Sequence, residues 1–211
     1  DKRHNMDLLL ICTVLGAGIG IGLGAIGSAV GEGIVAMKSV ESLGKQPTAG
    51  NKLLRIMIIA QAITETAAIF ALVVSLVLLF GNHNGDSVAK AITLLGAGIT
   101  IGFGTIGSGL GAGLPGGSAL EGIGRNPENS DVLTVQMIIG QAVTQTSTIF
   151  ALTVSLILVT LTPDTDLLSI FSLLGGAIAM GFGAIGPGIG DGLVARNANL
   201  AVGHAPRQMG L

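Results

Sequence analysis

The residues best suited to chemistry in this chain are two carboxylates, Glu32 and Glu65, which stand within long apolar stretches. Glu65 lies near the middle of the run from Leu53 to Phe80, which contains no other acid and carries only Arg55 at its edge. An ionisable side chain at the centre of a membrane helix costs roughly 2.5–3.5 kcal/mol on insertion scales. Because an acid at that depth marks an ion pathway by default, the pattern predicts a proton or cation site at Glu65.

The spacing around Pro47 brings the two carboxylates to a similar depth. Glu32 lies about 15 residues before this proline and Glu65 about 18 residues after it, and a helix rises about 1.5 Å per residue. Two antiparallel helices would therefore hold the acids within about 5 Å of the same level. Two facing carboxylates do not both ionise easily at low dielectric, and a dehydrated cation would stabilise their charged form. Such a cation prefers oxygen ligands, which Thr66 and Gln61 also carry.

Each supporting residue also has a simpler structural interpretation, which the sequence leaves open. Glu32 is nearer the turn and could extend towards the membrane interface. Thr66 could bond only to the backbone of its own helix, and Gln61 could serve helix packing. Glu41 and Glu121, next to the turns, are expected to be solvated.

The elements that must position these acids are membrane helices. The 211 residues are 49% hydrophobic and only 10% charged, whereas about a quarter of the residues in an average soluble domain are charged. Several apolar runs are longer than about 18 residues, enough to span a bilayer. The composition therefore predicts an all-α integral membrane protein. The net charge of −2 gives no reason to expect a nucleic-acid partner, and the lone Cys12 offers no disulfide or metal pair.

The chain repeats itself with a constant period. The segment GAGIGIGLGAIGSAVGEG from Gly16 returns as GAGITIGFGTIGSGLGAG from Gly96 and as GGAIAMGFGAIGPGIGDG from Gly175. The segment IAQAITETAAIFALVVSLVLL from Ile59 returns as IGQAVTQTSTIFALTVSLILV from Ile139. Each unit is a glycine-rich helix, a polar turn and a second helix, so the repeat defines the architecture.

We therefore predict tandem transmembrane helical hairpins, two complete and a third partial, over the ranges 1–86, 87–163 and 164–211. A proline turn ends the first helix of each unit, at Pro47, Pro127 and Pro206. Seven of the ten Lys and Arg residues lie on the side of these turns, and the positive-inside rule then places the turns in the cytoplasm. An odd number of helices and a first residue other than Met indicate a fragment or a processed chain.

Small residues form two adjacent rows along the first helix. One row advances by three or four positions, which keeps it on one face: Gly16, Gly20, Gly24, Gly27 and Gly31. The other runs beside it: Gly18, Gly22, Ala25, Ala29 and Gly33. Close backbone contact drives helix association in lipid, and small residues permit it. Two rows predict neighbours on two sides, as in a closed ring of helices.

The repeat units differ at the carboxylates. Gln145 of the second unit matches Glu65, and Ala112 matches Glu32. Because an amide neither loses a proton nor changes charge near neutral pH, the second unit is not expected to carry an ion. In the third unit, Asp191 matches Glu32.

The glycine-rich first helix, the turn ESLGKQP and the segment QAITETAAIFALVVSLVLLF with its central acid together resemble the rotor-ring proteolipid, the c subunit, of rotary ATP synthases, repeated along one chain. The turn is closer to the F-type pattern than to the vacuolar one. The resemblance implies a non-catalytic component of a homomeric or mixed c-ring, in contact with membrane lipid, in a bacterial plasma (inner) membrane. It implies no cofactor beyond the transported Na+ or H+.

The same resemblance implies the partners. A stator subunit with an intramembrane Arg would displace the ion from Glu65 as the ring turns. Central-stalk subunits would contact the turns near Pro47, Pro127 and Pro206.

The resemblance also implies which residues would hold the ion. Sodium-binding members place Gln or Glu at the position of Glu32, a hydroxyl at Thr66 and a backbone carbonyl at Ile63, and this sequence fits all three. It departs at Ala67, where such members often have Thr, and at Ser28, where many have Pro. The resemblance thus favours sodium and leaves the proton as the alternative.

Two other functions compete with this interpretation. Loss of the acid at Gln145 resembles the duplicated proteolipids of vacuolar-type ion pumps, in which fewer ions per ATP favour pumping against a steep gradient. A small-residue-packed channel or transporter using Glu65 is the second alternative, but the sequence lacks the interrupted helices and scattered polar residues of that class.

Overall fold

The computed structural model describes residues 2–83 and 87–204, which are almost entirely helical and contain no strand. The predicted all-α fold is therefore confirmed. The third predicted turn, at Pro206, lies outside the described residues.

The helices follow the repeat along the chain. They are α1 (Lys2–Lys45), α2 (Gly50–Phe80), α3 (Val88–Arg125), α4 (Ser130–Thr144), α5 (Thr146–Thr160), α6 (Leu167–Gly183) and α7 (Ile185–His204). Short 3-10 turns at Pro47–Ala49 and Pro127–Asn129 join the two helices of the first and second hairpins. Helices α4 and α5 continue each other across Gln145, as α6 and α7 do across Ala184. Across the described ranges, five stretches are long and apolar enough to cross a membrane.

The interruption between α6 and α7 follows from a proline. Pro187 has no backbone N–H, and its ring crowds the carbonyl four positions earlier, at Gly183. Helix α6 ends at that residue. The starts of α3 and α6 are fixed by side-chain caps, because Ser87 accepts from the Lys90 N–H at 3.2 Å and Asp166 accepts from the Ser169 N–H at 3.1 Å.

The glycine-rich helices pack against each other with backbones in contact. A Cβ atom placed on Gly27 of α1 would lie 2.5 Å from the Ile106 carbonyl oxygen of α3, and one on Gly109 would lie 2.6 Å from the Ser28 nitrogen. On its other side α3 meets α7, where a Cβ on Gly188 would lie 2.5 Å from the Gly107 carbonyl carbon. Only glycine allows this approach, so α3 has a glycine-rich neighbour on each side.

The second row of α1 has no such neighbour within the described chain. Cβ atoms on Gly18, Gly22 or Gly33 would meet nothing within 4 Å. The first row therefore serves packing inside the chain, and the second row leaves one edge of α1 open.

The second helices of the hairpins lie outside the glycine-rich layer and are tied to it by the same hydrogen bond in each repeat. Ser75 of α2 donates to the Ala17 carbonyl at 2.9 Å, and Ser155 of α5 donates to the Ala97 carbonyl at 2.8 Å. The two serines occupy matching positions of the first and second units, and so do the two alanines. The repeated sequence therefore specifies a repeated contact.

The apolar core divides into two clusters at different depths. One lies near the turns and includes Val35, Leu53, Leu120, Leu133 and Met137. The other lies towards the opposite end and includes Ala17, Val74, Leu78, Ile101 and Leu158. Large side chains on the outer surface remain exposed, as a lipid environment permits; Leu168, for example, is 77% exposed.

Candidate ion-binding site

The two predicted carboxylates lie on the facing helices of the first hairpin, Glu32 on α1 and Glu65 on α2. Within the described chain Glu32 is partly buried and Glu65 is exposed. The hairpin therefore presents a paired acid on its open side.

A buried serine fixes the register of the two helices beside this pair. The Ser28 hydroxyl donates to the Thr64 carbonyl at 3.2 Å and accepts from the Ala68 N–H at 3.2 Å. Ser28 lies one turn before Glu32, and Thr64 directly precedes Glu65. Sequence reasoning treated Ser28 only as a departure from a family pattern; its place one turn from an acid is the signal for this positioning role.

The other predicted ligands make separate contacts. The Thr66 hydroxyl donates to the Ala62 carbonyl of its own helix at a long 3.4 Å. The Ile63 carbonyl accepts from the side-chain amide of Gln145 at 3.1 Å. The structure thus sets Glu32 and Glu65 on the two facing helices of the first hairpin, while Thr66 and Ile63 have other partners. No group of three or more His, Cys, Asp or Glu side chains within residues 2–83 and 87–204 is arranged to hold a metal.

The second hairpin carries Gln145 where the first carries Glu65. Both hairpins have a glutamine one turn earlier, Gln141 in the second and Gln61 in the first. Gln141, which matches Gln61, is fully buried. Its amide N–H groups donate to the carbonyls of Ala60 on α2 and Ala112 on α3, each at 3.0 Å. Gln61 itself is only partly buried. The interior of this hairpin contains neutral polar contacts in place of paired acids.

The third unit contributes an acid that the sequence did not connect to a partner. Asp191 lines a cavity of about 330 Å³ together with Thr146, Ser147 and Pro187. Thr146 of the second unit matches Thr66 of the first, and Asp191 matches Glu32. An acid of one unit and a hydroxyl of the unit before it therefore meet at one cavity, which only the packing of α5 against α6 and α7 makes visible.

Charged side chains collect at the turns. Lys38 contacts Glu41 at 2.8 Å and Glu121 at 3.5 Å, and Arg125 also pairs with Glu121. The Lys52 ammonium donates to the Pro127 carbonyl at 3.0 Å, which joins the first turn to the second. These pairs mark the polar end of the hairpins. Glu41 is exposed, as expected, whereas Glu121 is partly buried between two basic side chains.

The fold and the paired acid define a class of protein: a multi-pass membrane protein of repeated hairpins, one of which presents carboxylates inside the apolar span. Comparison with protein families narrows that class. The model of the family described as the ATP synthase C subunit matches residues 15–78 and again residues 95–158, so the chain belongs to the family of ATP synthase c subunits. Membership places it among the non-catalytic membrane subunits that form the c-ring of the rotor.

Individual relatives correspond to single hairpins. The ATP synthase c subunit of Alkaliphilus oremlandii is 41% identical over 76 residues, which cover 36% of this chain and 85% of that protein. That of Citrifermentans bemidjiense is 43% identical over 90 residues, covering 41% of this chain and 98% of the relative. That of Geotalea daltonii is 43% identical over 81 residues, covering 38% of this chain and 88% of the relative. The predicted family is thus confirmed.

Proposed function

We propose that this chain carries Na+, or alternatively H+, across the membrane on Glu65 as the rotor ring of an ATP synthase turns. The observation that supports this most directly is the placement of Glu32 and Glu65 on the facing helices of the first hairpin, where Ser28 bonds α1 to α2 beside them. A carboxylate in an apolar span can hold a cation and release it when a competing charge approaches. Moving one charge across 100 mV yields about 2.3 kcal/mol, which rotation can use.

The ion is assigned first to Glu32 and Glu65, with Thr66 as a further ligand. The Thr66 hydroxyl is held only by the long bond to its own helix, so it can turn towards a cation at little cost. The carbonyl of Ile63 is the fourth assigned ligand. Because that carbonyl accepts from Gln145, it joins an ion only where the amide contact is absent or broken.

The surroundings of the chain follow from the same proposal. A stator subunit with an intramembrane Arg displaces the ion from Glu65, and central-stalk subunits contact the turns at Pro47 and Pro127. The ion pairs at these turns support their exposure to water, and the turns face the cytoplasm of a bacterium with the chain in its plasma membrane. A third contact, near Pro206, is proposed from the sequence repeat alone.

The amide at Gln145 supports a pumping bias. Two complete hairpins share one carboxylate pair, because Ala112 and Gln145 replace the second pair. A ring built only from this chain would move fewer ions per ATP, and ATP hydrolysis could then drive each ion against a steeper gradient. In this respect the proposed function is similar to that of vacuolar-type pump proteolipids.

Labelling with a lipid-soluble carbodiimide tests the site and the ion together. Modification should occur at Glu65 and should slow when sodium is added; slowing only at raised pH would favour H+. Glu65→Gln should abolish coupling between ion flow and nucleotide turnover, whereas Asp7→Asn, at an exposed position near the opposite end of α1 from the turn, should leave it intact. Normal coupling in Glu65→Gln would refute the proposal.

A further inference from the structure

A cavity of about 300 Å³ lies between the first two hairpins, at the end away from the proline turns. It is found where the second helices of both hairpins stop, α2 at Phe80 and α5 at Thr160, and where α3 begins at Val88. Because apolar spans end at the level of the lipid headgroups, the cavity lies at the membrane interface. Its polar lining includes Asn82, His83, Lys90 and Thr162.

Lys90 places a positive charge in the wall of this cavity. The residue is only 3% exposed, and its ammonium donates to the carbonyls of Val159 and Leu161 at 2.7 and 2.6 Å. These carbonyls belong to the C-terminal end of α5, whose dipole favours a cation. An ammonium has three N–H groups, so one remains for a ligand in the cavity.

The charge of Lys90 is not balanced by an acid. In the part of the chain that the structure describes, no carboxylate lies within ion-pair distance of Lys90, and both of its partners are neutral carbonyls. The ion pairs of Lys38, Lys45 and Arg125 lie at the turns, at the opposite end of the hairpins. A buried charge without a counter-charge is costly. An anion in the cavity would remove that cost.

His83 adds a hydrogen-bond acceptor to the same cavity. Its ring nitrogen Nε2 lies 2.7 Å from the Leu78 carbonyl oxygen. Because a carbonyl oxygen only accepts hydrogen bonds, Nε2 must carry the proton, and this partner assigns the tautomer. In the neutral ring Nδ1 is then an acceptor. The cavity therefore offers a charged donor at Lys90 and an acceptor at His83.

These two groups are particular to the junction between the first and second hairpins. Lys90 is matched by Leu10 in the first unit and by Ser169 in the third, and His83 is matched by Pro163. The helices of the other units therefore form without a cation at this position. The architecture that the repeats share does not need the charge, which favours a role for it beyond packing.

The protein surface beside the cavity suits the acyl chains of a lipid. Phe80, the last residue of α2, is 81% exposed, and Ile157 of α5 is also exposed. Val77, about one turn before Phe80, lines the cavity itself. Exposed apolar side chains therefore begin where the polar lining ends. A molecule with a charged head and a long apolar tail matches both parts of this surface, whereas free phosphate matches only the first.

We propose that this cavity binds the headgroup of an anionic phospholipid, with Lys90 donating to a phosphate oxygen and His83 accepting from a headgroup hydroxyl. Basic pockets between membrane helices bind lipid headgroups in this way. Phosphatidylglycerol has the required chemistry, since it carries one negative phosphate diester and a glycerol with free hydroxyls. The bound lipid bridges the ends of α2 and α5 and so joins the first two hairpins. The proposal does not depend on which ion Glu65 carries.

Photolabelling of the full chain in its assembled ring tests the site. The ring is reconstituted in phosphatidylcholine vesicles that contain phosphatidylglycerol with a diazirine on the acyl chain close to the headgroup. Peptide mass spectrometry should find the label next to the cavity, in the segments 77–83 and 157–162. Phosphatidylcholine with the same diazirine should label these segments about fivefold less, the ratio expected from one lysine near a membrane surface.

The variant Lys90→Gln removes the charge but keeps an amide donor for the carbonyls of α5. It should lower labelling by phosphatidylglycerol to the level found with phosphatidylcholine. The matched control is Arg3→Gln, which removes a positive charge from an exposed position at the same end of the hairpins and should leave labelling unchanged. Unlabelled phosphatidylglycerol should compete with the probe, and inorganic phosphate at millimolar concentration should not.

Three results overturn the proposal. The first is equal labelling by the two lipids in the unaltered chain, which would show general contact with the bilayer. The second is unchanged labelling in Lys90→Gln. The third is competition by inorganic phosphate, which would show that the cavity takes a free anion. If Lys90→Gln fails to assemble, the lipid preference and the competition in the unaltered chain decide. Failure of the proposed function is separate, because it appears as an unreactive Glu65.

Discussion

Replacing Gly27 by alanine should destabilise the chain, because this residue lies in backbone contact with α3. The new Cβ would lie 2.5 Å from the Ile106 carbonyl oxygen and 2.7 Å from the Ile106 Cα, whereas ordinary contact begins near 3.4 Å. The two backbones must therefore separate by about 0.7–0.9 Å. A gap of about 0.5–1 Å forfeits a quarter to a half of each atomic contact around it, and overpacking of this kind costs about 1–3 kcal/mol.

The matched control is Gly44→Ala on the same helix, where a Cβ would meet nothing within 4 Å. Both variants gain helix propensity, worth at most about 1 kcal/mol, so their difference isolates the contact. Reversible unfolding in mixed micelles should show Gly27→Ala less stable than Gly44→Ala by about 1–3 kcal/mol. Equal unfolding free energies for the two variants would show that α1 and α3 are not held at backbone contact.

Three further outcomes are expected. Gln145→Glu should raise the ion-to-ATP ratio, measured from the ion gradient at which ATP hydrolysis reverses, because it adds a carboxylate to the second hairpin. An unchanged ratio in a ring made only of this chain would count against the proposal that the second hairpin carries no ion. Gly22→Leu, on the open row of α1, should leave the chain's helical fold intact but prevent ring assembly, as seen by native gel; normal rings would mean that another face meets the neighbouring copy. Lys90→Met should lower the free energy of unfolding by about 1–3 kcal/mol, because the buried ammonium donates to the Val159 and Leu161 carbonyls at the end of α5, at 2.7 and 2.6 Å. The control Lys45→Met, at an exposed position, should change it far less. Equal effects of the two substitutions would contradict this capping role.

Much of the fold could be predicted from the sequence, because its determinants are local or repeated. Apolar runs set the helix lengths, the prolines at Pro47 and Pro127 set the turns, and the internal repeat set the pairing of helices. The interruption at Ala184 could also have been expected from Pro187. That at Gln145 has no comparable signal, since no proline or glycine stands near it within α5.

The candidate site was predicted less completely. The similar depth of Glu32 and Glu65 follows from counting residues, and the bonds of Ser28 to Thr64 and Ala68 agree with that count. The hydrogen-bond partners of the remaining groups depend on how one hairpin packs against the next. Residue spacing within a single hairpin carries no information about that packing. Ser28 and the cavity at Asp191 became visible only in the packed molecule.

The sequence by itself determined that this protein crosses the membrane, repeats a hairpin and carries an acid in one repeat and an amide in the other, since hydropathy, period and residue type are properties of the linear chain. Tertiary structure alone decided which glycine row of α1 packs against another helix of the described chain and which row has no such neighbour. It also decided that the Ile63 carbonyl bonds to Gln145. The physical reason is that every residue has the same backbone carbonyl group, so the sequence does not identify its hydrogen-bond partner. That partner depends on which helix packs against the carbonyl.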